Sequence, residues 1–217
     1  VPDAMLATVT LLATLWDADG SVGVEGLSSR EAETPEYSES TLRSETGLLD
    51  GVSPIGAGSI IGRIWNKPSV TVIGIDATDV ASASNTLAPE VTVVISARVA
   101  PGQSAADAYA ALKAHLRAHA PFGARLEFFD VDLGNPFLVD TSGWGADEAR
   151  QAMRDAWGAE PQLTGVGGSI PFIADLAEVF PDVPVTREVG PNETLLSIEK
   201  ATRMLGYAPQ HSWREGH

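Results

Sequence analysis

A chain of 217 residues with 44% hydrophobic content and a mean hydropathy near zero has the balance of an ordinary globule, not of a disordered or fibrous protein. Its net charge of -15, from 29 acidic against 14 basic residues, argues against DNA or RNA as a partner, because nucleic-acid binding draws on Lys and Arg to neutralise phosphates. Without cysteine there is no disulfide, thiolate metal ligand or Cys nucleophile, and no apolar run reaches the ~18 residues of a membrane span; no membrane partner and a cytoplasmic location are expected.

The first element is an amphipathic helix opened by Pro2, with Met5, Leu6, Val9, Leu12, Ala13 and Trp16 at helical spacing, ending in the turn DADG. Asp3 and the lack of a basic flank set it apart from a secretory signal. Without an initiator Met, the chain reads as a piece of something longer. From Glu25 to Pro68 the composition turns to Ser, Glu, Thr and Gly, which predicts an inserted surface loop region with a short helix around Ser40 to Leu49.

Two β-branched runs follow, SVTVIGID at Ser69–Asp76 and VTVVISARVA at Val91–Ala100, the second stopped by Pro101-Gly102. SAADAYAALKAHLRAHA predicts a helix capped by Ser104, and ARLEFFDVDL, Ala124 to Leu133, a further strand. The order helix, insert, strand, strand, helix, strand is that of an α+β, ferredoxin-like βαββαβ unit lacking its first strand. After Asn135-Pro136 the text starts over with a helix from Gly145 to Trp157, an apolar strand near Leu163, a glycine turn and the helix IPFIADLAEVF. That is α/β grammar, with too few strands to make a covered parallel sheet, so it reads as an incomplete α/β segment.

Four motifs invite chemistry. GAGSIIG, Gly56 to Gly62, with Asp76 about twenty residues on, imitates a dinucleotide fingerprint, but LLDGVSPI before it is no strand and a plain loop fits better. His115 and His119 stand four apart without an accompanying carboxylate, so they read as a solvated helix face near a C-terminus, where His suits the dipole. Arg98 places a permanent cation in an apolar strand on the side of Val94, Ser96 and Ala100. It either points to solvent or forms a fork for a carboxylate. Asn85 is a turn residue or a ligand-facing amide, and GVGGSIPF is a strand-to-helix turn capped by Ser169 or an anion-binding turn.

Taken in order, VPDAMLATVTLLATLWDADGSVGVEGL, PSVTVIGIDA, ASNTLAPEVTVVISARVAPGQ, LKAHLRAHAPFGARLEF and GVGGSIPFIADLAEVFP resemble the C-terminal part of the dinuclear zinc metallopeptidases of family M twenty, in particular the dipeptidases related to carnosinase. The resemblance implies a lid and dimerisation domain at 1–134 with the insert at 25–68, and a C-terminal segment of the catalytic domain at 135–182. It implies that Asn85, Thr86 and Arg98 contact the substrate's carbonyl and carboxylate, and that Gly167, Gly168 and Ser169 hold its carboxylate end. The partners implied are a second copy of the chain and a dipeptide or N-acyl amino acid. The complete parent would carry two zinc ions; this chain carries no metal ligand and no catalytic residue of that set, because the other ligands, the bridging Asp and the Glu base belong upstream and Val189 stands where the last His is expected.

The tail 183–217, with VPVTREVGPNETLLSIEKATRMLGYAPQHSWRE, resembles instead the C-terminus of NAD-dependent sugar epimerases, without their glycine fingerprint or Tyr-x-x-x-Lys. Together these features imply a fragment of a zinc-dependent dipeptidase that supplies substrate binding and dimerisation and is inactive alone. The alternatives are a non-catalytic dimerisation or binding module and, third, an NAD-dependent epimerase-like protein.

Overall fold

The computed structural model describes residues 1–165 together with Glu178, Val179 and Arg203. Val1–Val179 and Phe180–His217 are separate compact units, and the architecture below is that of the first. The helix IPFIADLAEVF, the glycine turn and the tail helix lie outside the described residues, apart from those three positions.

Helix α1 spans Ala4–Leu12 and tightens into a 3-10 turn at Ala13–Leu15. Its cap is Asp3, whose carboxylate accepts the N–H of Leu6 at 2.9 Å, so Pro2 stands before the cap and not in the first turn. The DADG turn closes with the Gly20 N–H on the Asp17 carbonyl at 3.0 Å. Gly20 has φ +82, and a Cβ there would meet the Cβ of Ile55 at 2.7 Å, so the turn needs glycine for both conformation and space. A bridge between Trp16 and Val22 follows.

The insert contains more structure than its composition predicts. Helix α2 spans Glu39–Thr46, capped by Ser38 and ended by Gly47 in the left-handed region. Helix α3 spans Ile60–Asn66, with the side chain of Ser59 accepting the Gly62 N–H. The GAGSIIG stretch is thus the capped entry to a helix, with no strand before it. Buried Asn66 fastens this part by taking the N–H of Arg30 on its carbonyl at 2.7 Å and the Arg30 guanidinium on its amide oxygen at 3.1 Å.

Strands β1 (Ser69–Asp76) and β2 (Thr92–Arg98) form an antiparallel pair, with Ser69 opposite Arg98 and Asp76 opposite Thr92. A register shift between Val72 and Gly74 interrupts the ladder. Helix α4, Ala105–Ala118, starts on the Ser104 side chain, and Asn135 accepts the Ala105 N–H at 3.0 Å. Leu11, Leu15, Val24, Val70 and Leu116 make the core, and the Trp16 indole N–H donates to the Val70 carbonyl at 3.1 Å. Core, helices and hairpin together give a mixed α and β fold around a small two-stranded sheet.

Two expected strands do not form. Residues 124–133 carry no strand assignment, although burial alternates at Leu126 and Phe128 against Glu127 and Phe129. Leu126 and Phe128 pack on the core, and Phe128 lies under Lys113 and Arg117 of α4, at 5.2 and 5.5 Å from ring centre to cation. The segment is therefore docked on the helix by side chains, and no described segment offers it a hydrogen-bond ladder. Leu163, expected in a strand, is 62% exposed and irregular. Helix α5, Trp144–Trp157, forms as expected and buries none of its residues among those described.

Leu15 is the only large side chain with no exposure among the described residues, so Leu15→Ala should destabilise the unit by about 2–5 kcal/mol. A urea midpoint indistinguishable from that of the parent chain would show that the core is centred elsewhere.

Candidate functional site

The hairpin sorts its residues by face. Val70 and Val72 pair with Ala97 and Ile95 on the side of the helices, whereas Ser69 and Thr71 pair with Arg98 and Ser96 on the side open to water. Directly opposed residues on one sheet face have Cβ atoms about 4.5–5.5 Å apart. The Arg98 guanidinium therefore shares one surface with the hydroxyls of Ser69, Thr71 and Ser96, all four exposed. Such a surface can take a carboxylate: the fork supplies two parallel N–H donors and the hydroxyls supply single ones. Water also reaches it, which weakens each such bond relative to a buried one.

The residues that the sequence singles out here fall at opposite ends of the hairpin. Arg98 is on the outward face with Val94 and Ser96, as strand alternation requires, but Ala100, expected on the same side, lies past the end of β2 and is buried. Asn85 and Thr86 are exposed residues of the connection 77–91, which joins the strands at the end opposite Arg98, and the Thr86 N–H donates to Ser84 Oγ at 3.3 Å. The hairpin groups Arg98 with hydroxyls of β1 instead. Sequence reasoning missed Ser69 and Thr71 because they come to Arg98 only through pairing register. Their one legible signal is the alternation of small hydroxyls in SVTV. Gly167, Gly168 and Ser169 lie outside the described residues.

His115 corrects a second expectation. It is buried, not part of a solvated face, because it neighbours Leu116 on the side of α4 that meets the end of α1. The Thr14 hydroxyl donates its one proton to the Leu11 carbonyl at 2.7 Å. The 3.0 Å contact between Thr14 Oγ1 and His115 Nε2 must then be a donation from the ring, which assigns the proton to Nε2. His119, the exposed C-cap, places Nδ1 2.8 Å from the His115 carbonyl, so its proton is on Nδ1. The two rings stack with centres 4.1 Å apart. No group of three or more metal-ligating side chains occurs among the described residues.

Burial pushes the His115 pKa below its ordinary value, the neighbouring His119 pushes the same way, and the contact with Thr14 offsets part of this. The folded state thus binds fewer protons at His115 than the unfolded chain, whose histidine titrates near 6.5. The stability gained by keeping the ring neutral is complete above that value and is lost as pH falls through 6.5 toward the lowered folded value. Melting temperature should accordingly drop between pH 7 and pH 5, by about 2–4 °C for each kcal/mol lost. His115→Gln should flatten that part of the profile, and an unchanged slope in the variant would remove His115 as its origin.

Residues 3–124 match the family model described as a peptidase dimerisation domain. Among curated proteins, the cysteinylglycine-S-conjugate dipeptidase of Corynebacterium striatum is 32% identical over 185 residues, covering 83% of this chain and 41% of its own length. Among solved structures, the di-peptidase Dug1p of Saccharomyces cerevisiae aligns with a TM-score of 0.64 at 21% identity over 83% of this chain and 40% of its own. Human carnosine dipeptidase 1 aligns at 0.64 and 19% over 82% of this chain and 41% of its own. The metallo-carboxypeptidase Sso-CP2 of Sulfolobus solfataricus, of the M twenty family, aligns at 0.62 and 18% over 82% of this chain and 43% of its own. The structural likenesses establish the fold. The chain spans about two-fifths of the length of these relatives, and the comparisons lend no support to an epimerase-like tail.

Proposed function

Since the chain belongs to the peptidase dimerisation-domain family of the M twenty peptidases, we propose that it is the dimerisation and substrate-holding part of a zinc-dependent dipeptidase. The observation that carries this reading is the outward face of the hairpin, where Arg98 stands among Ser69, Thr71 and Ser96. A dipeptide ends in a carboxylate, and a planar guanidinium flanked by hydroxyls matches that group better than an ammonium would. In this reading Arg98 holds the carboxylate and Gly167, Gly168 and Ser169 add backbone and hydroxyl donors, while Asn85 and Thr86, at the other end of the hairpin, stand apart from the group that Arg98 would hold.

The described residues do not fit a dinuclear zinc centre. Its His and carboxylate ligands would need a cluster, whereas here two imidazoles stand without a carboxylate and one of them is committed to Thr14. No reaction step is therefore assigned to this chain. Hydrolysis belongs, on this proposal, to the remaining part of a longer enzyme, with a dipeptide or N-acyl amino acid as its substrate. The Corynebacterium relative is a cysteinylglycine-S-conjugate dipeptidase, which makes dipeptides ending in glycine the first ligands to try. Pairing of two lids is the second part of the proposal. It draws support from the family description and from Ile73 and Val94, which leave 64% and 52% of their surface exposed on the hairpin.

Calorimetric titration of the full chain with an S-alkyl cysteinylglycine, and with its C-terminal amide as control, tests the assignment. Arg98→Ala should weaken the acid by about 1–1.5 kcal/mol, the lower range for charged hydrogen bonds because the face is wet. Arg98→Lys should recover part of this, and the amide should be indifferent to both changes. Equal affinity of parent and Arg98→Ala for the acid would remove Arg98 from the binding face. Chelator-sensitive hydrolysis by the chain alone, with Zn²⁺ added, would overturn its reading as the non-catalytic part.

A further inference from the structure

Trp65 stands in the last turn of α3, beside buried Asn66 and one turn after buried Ile61, whose helix face it shares. Its indole is half-buried, and the backbone of Gly165 lies against it. A Cβ built on Gly165 would stand 2.8 Å from both Cγ and Cδ2 of Trp65 and 3.1 Å from its Cβ, whereas carbon atoms in good contact keep about 3.5–4.0 Å. Turning the ring would clear Cγ and Cδ2 but not Cβ, whose place the helix sets. Gly165 is not among the residues with positive φ, so space alone asks for glycine at this point.

Little else holds this stretch among the described residues. No backbone hydrogen bond joins 161–165 to another described residue, and Leu163 is mostly exposed. The indole also carries information about place. Trp65 precedes Ser69, the first residue of β1, by four residues, and Ser69 pairs with Arg98. Four residues span at most about 14 Å, so Trp65 is tethered to the Arg98 end of the hairpin, and Asn85 and Thr86 belong to the other end. Gly165 opens the sequence GVGGS, the stretch whose Gly167, Gly168 and Ser169 are the donors of the proposed function.

We propose that Trp65 is a positioning residue: its indole and the bare backbone of Gly165 fit together, and this fit sets where the glycine-rich stretch begins relative to Arg98. Helix α3, which the sequence presents as part of an inserted loop, then belongs to the apparatus that holds the ligand. Its consequence for binding rests on the carboxylate reading of Arg98 and the glycine turn; the contact between Trp65 and Gly165 does not.

The test uses the full chain as parent, Trp65→Ala, Trp65→Phe, Gly165→Ala and the double variant Trp65→Ala/Gly165→Ala. Without ligand, the amide resonances of Gly165 to Ser169 should move in Trp65→Ala, a hundred residues away in sequence, and the Trp65 indole N–H should move in Gly165→Ala. With S-methyl cysteinylglycine as the probe, Trp65→Ala and Gly165→Ala should each weaken binding by about fivefold, and Trp65→Phe by less. The double variant should be no weaker than Trp65→Ala, because a Cβ at 165 is harmless once the ring is gone. Fully additive losses, parental affinity in Gly165→Ala, or losses that follow the urea midpoint across all variants would overturn the proposal, the last by making the role one of stability alone. If the parent does not bind the acid, the carboxylate reading falls, while the mutual shifts still uphold Trp65 as what places the glycine stretch. Unmoved resonances overturn that role whatever the ligand does.

Discussion

The meeting of α1 with α4 over Val70 is the contact on which the rest of the described fold depends. Leu11 from α1, Leu15 from the turn after it, Val70 from β1 and Leu116 from α4 are all buried within one cluster, although the residues come from opposite ends of the segment 3–124. Burial of such side chains is worth about 1.5–3 kcal/mol each. Directional bonds then fix the angle at which the pieces meet. The Trp16 indole reaches the Val70 carbonyl, and the Thr14 hydroxyl relays from the Leu11 carbonyl to the His115 ring. Hydrophobic contact alone would tolerate sliding; these polar contacts at its margin do not.

That arrangement also settles what the sheet presents outward. With α1 and α4 covering one face, alternate residues of β2 and of β1 as far as Val72 are held toward water, and a guanidinium and three hydroxyls fall on the same surface without any of them being drawn into the core. A binding face built this way costs the fold little, since its polar groups remain at the surface and are not buried in the core. The same economy leaves each contact weak, so useful affinity would require further donors from elsewhere in a longer enzyme.

Much of this was legible in the residues. Helix α4 announces itself through Ser104 and its Ala/Leu spacing, and β1 and β2 through their β-branched runs, so their bounds agree with expectation to within two residues at each end. Helix α3 was hidden because three glycines, Gly56, Gly58 and Gly62, mask a short apolar face capped by Ser59. The extended piece at 124–133 has strand-like alternation, but a ladder requires a neighbour, and composition does not reveal whether one is present. His115 shows the same limit: a histidine on a helix is buried or wet according to what another helix places against it, here Thr14 from 101 residues earlier. The grouping of Ser69 and Thr71 with Arg98 rests on register, which local sequence leaves open.

The interruption of the ladder between Val72 and Gly74 acts as a phase change within β1. Before it, even-numbered residues face the helices, with Val70 opposite Ala97 and Val72 opposite Ile95; after it, Ile75 takes the position opposite Val93. One unpaired residue, Ile73, absorbs the offset and stands out toward solvent at 64% exposure. The two halves of the strand thus follow opposite parities along the chain, and only the first reaches the core, since Ile75 stays 50% exposed. A homologous segment shorter or longer by one residue at this point could keep its composition and still exchange its inner and outer sets beyond the irregularity. Ile73 is therefore the position at which a one-residue gap would leave both halves of this pairing intact.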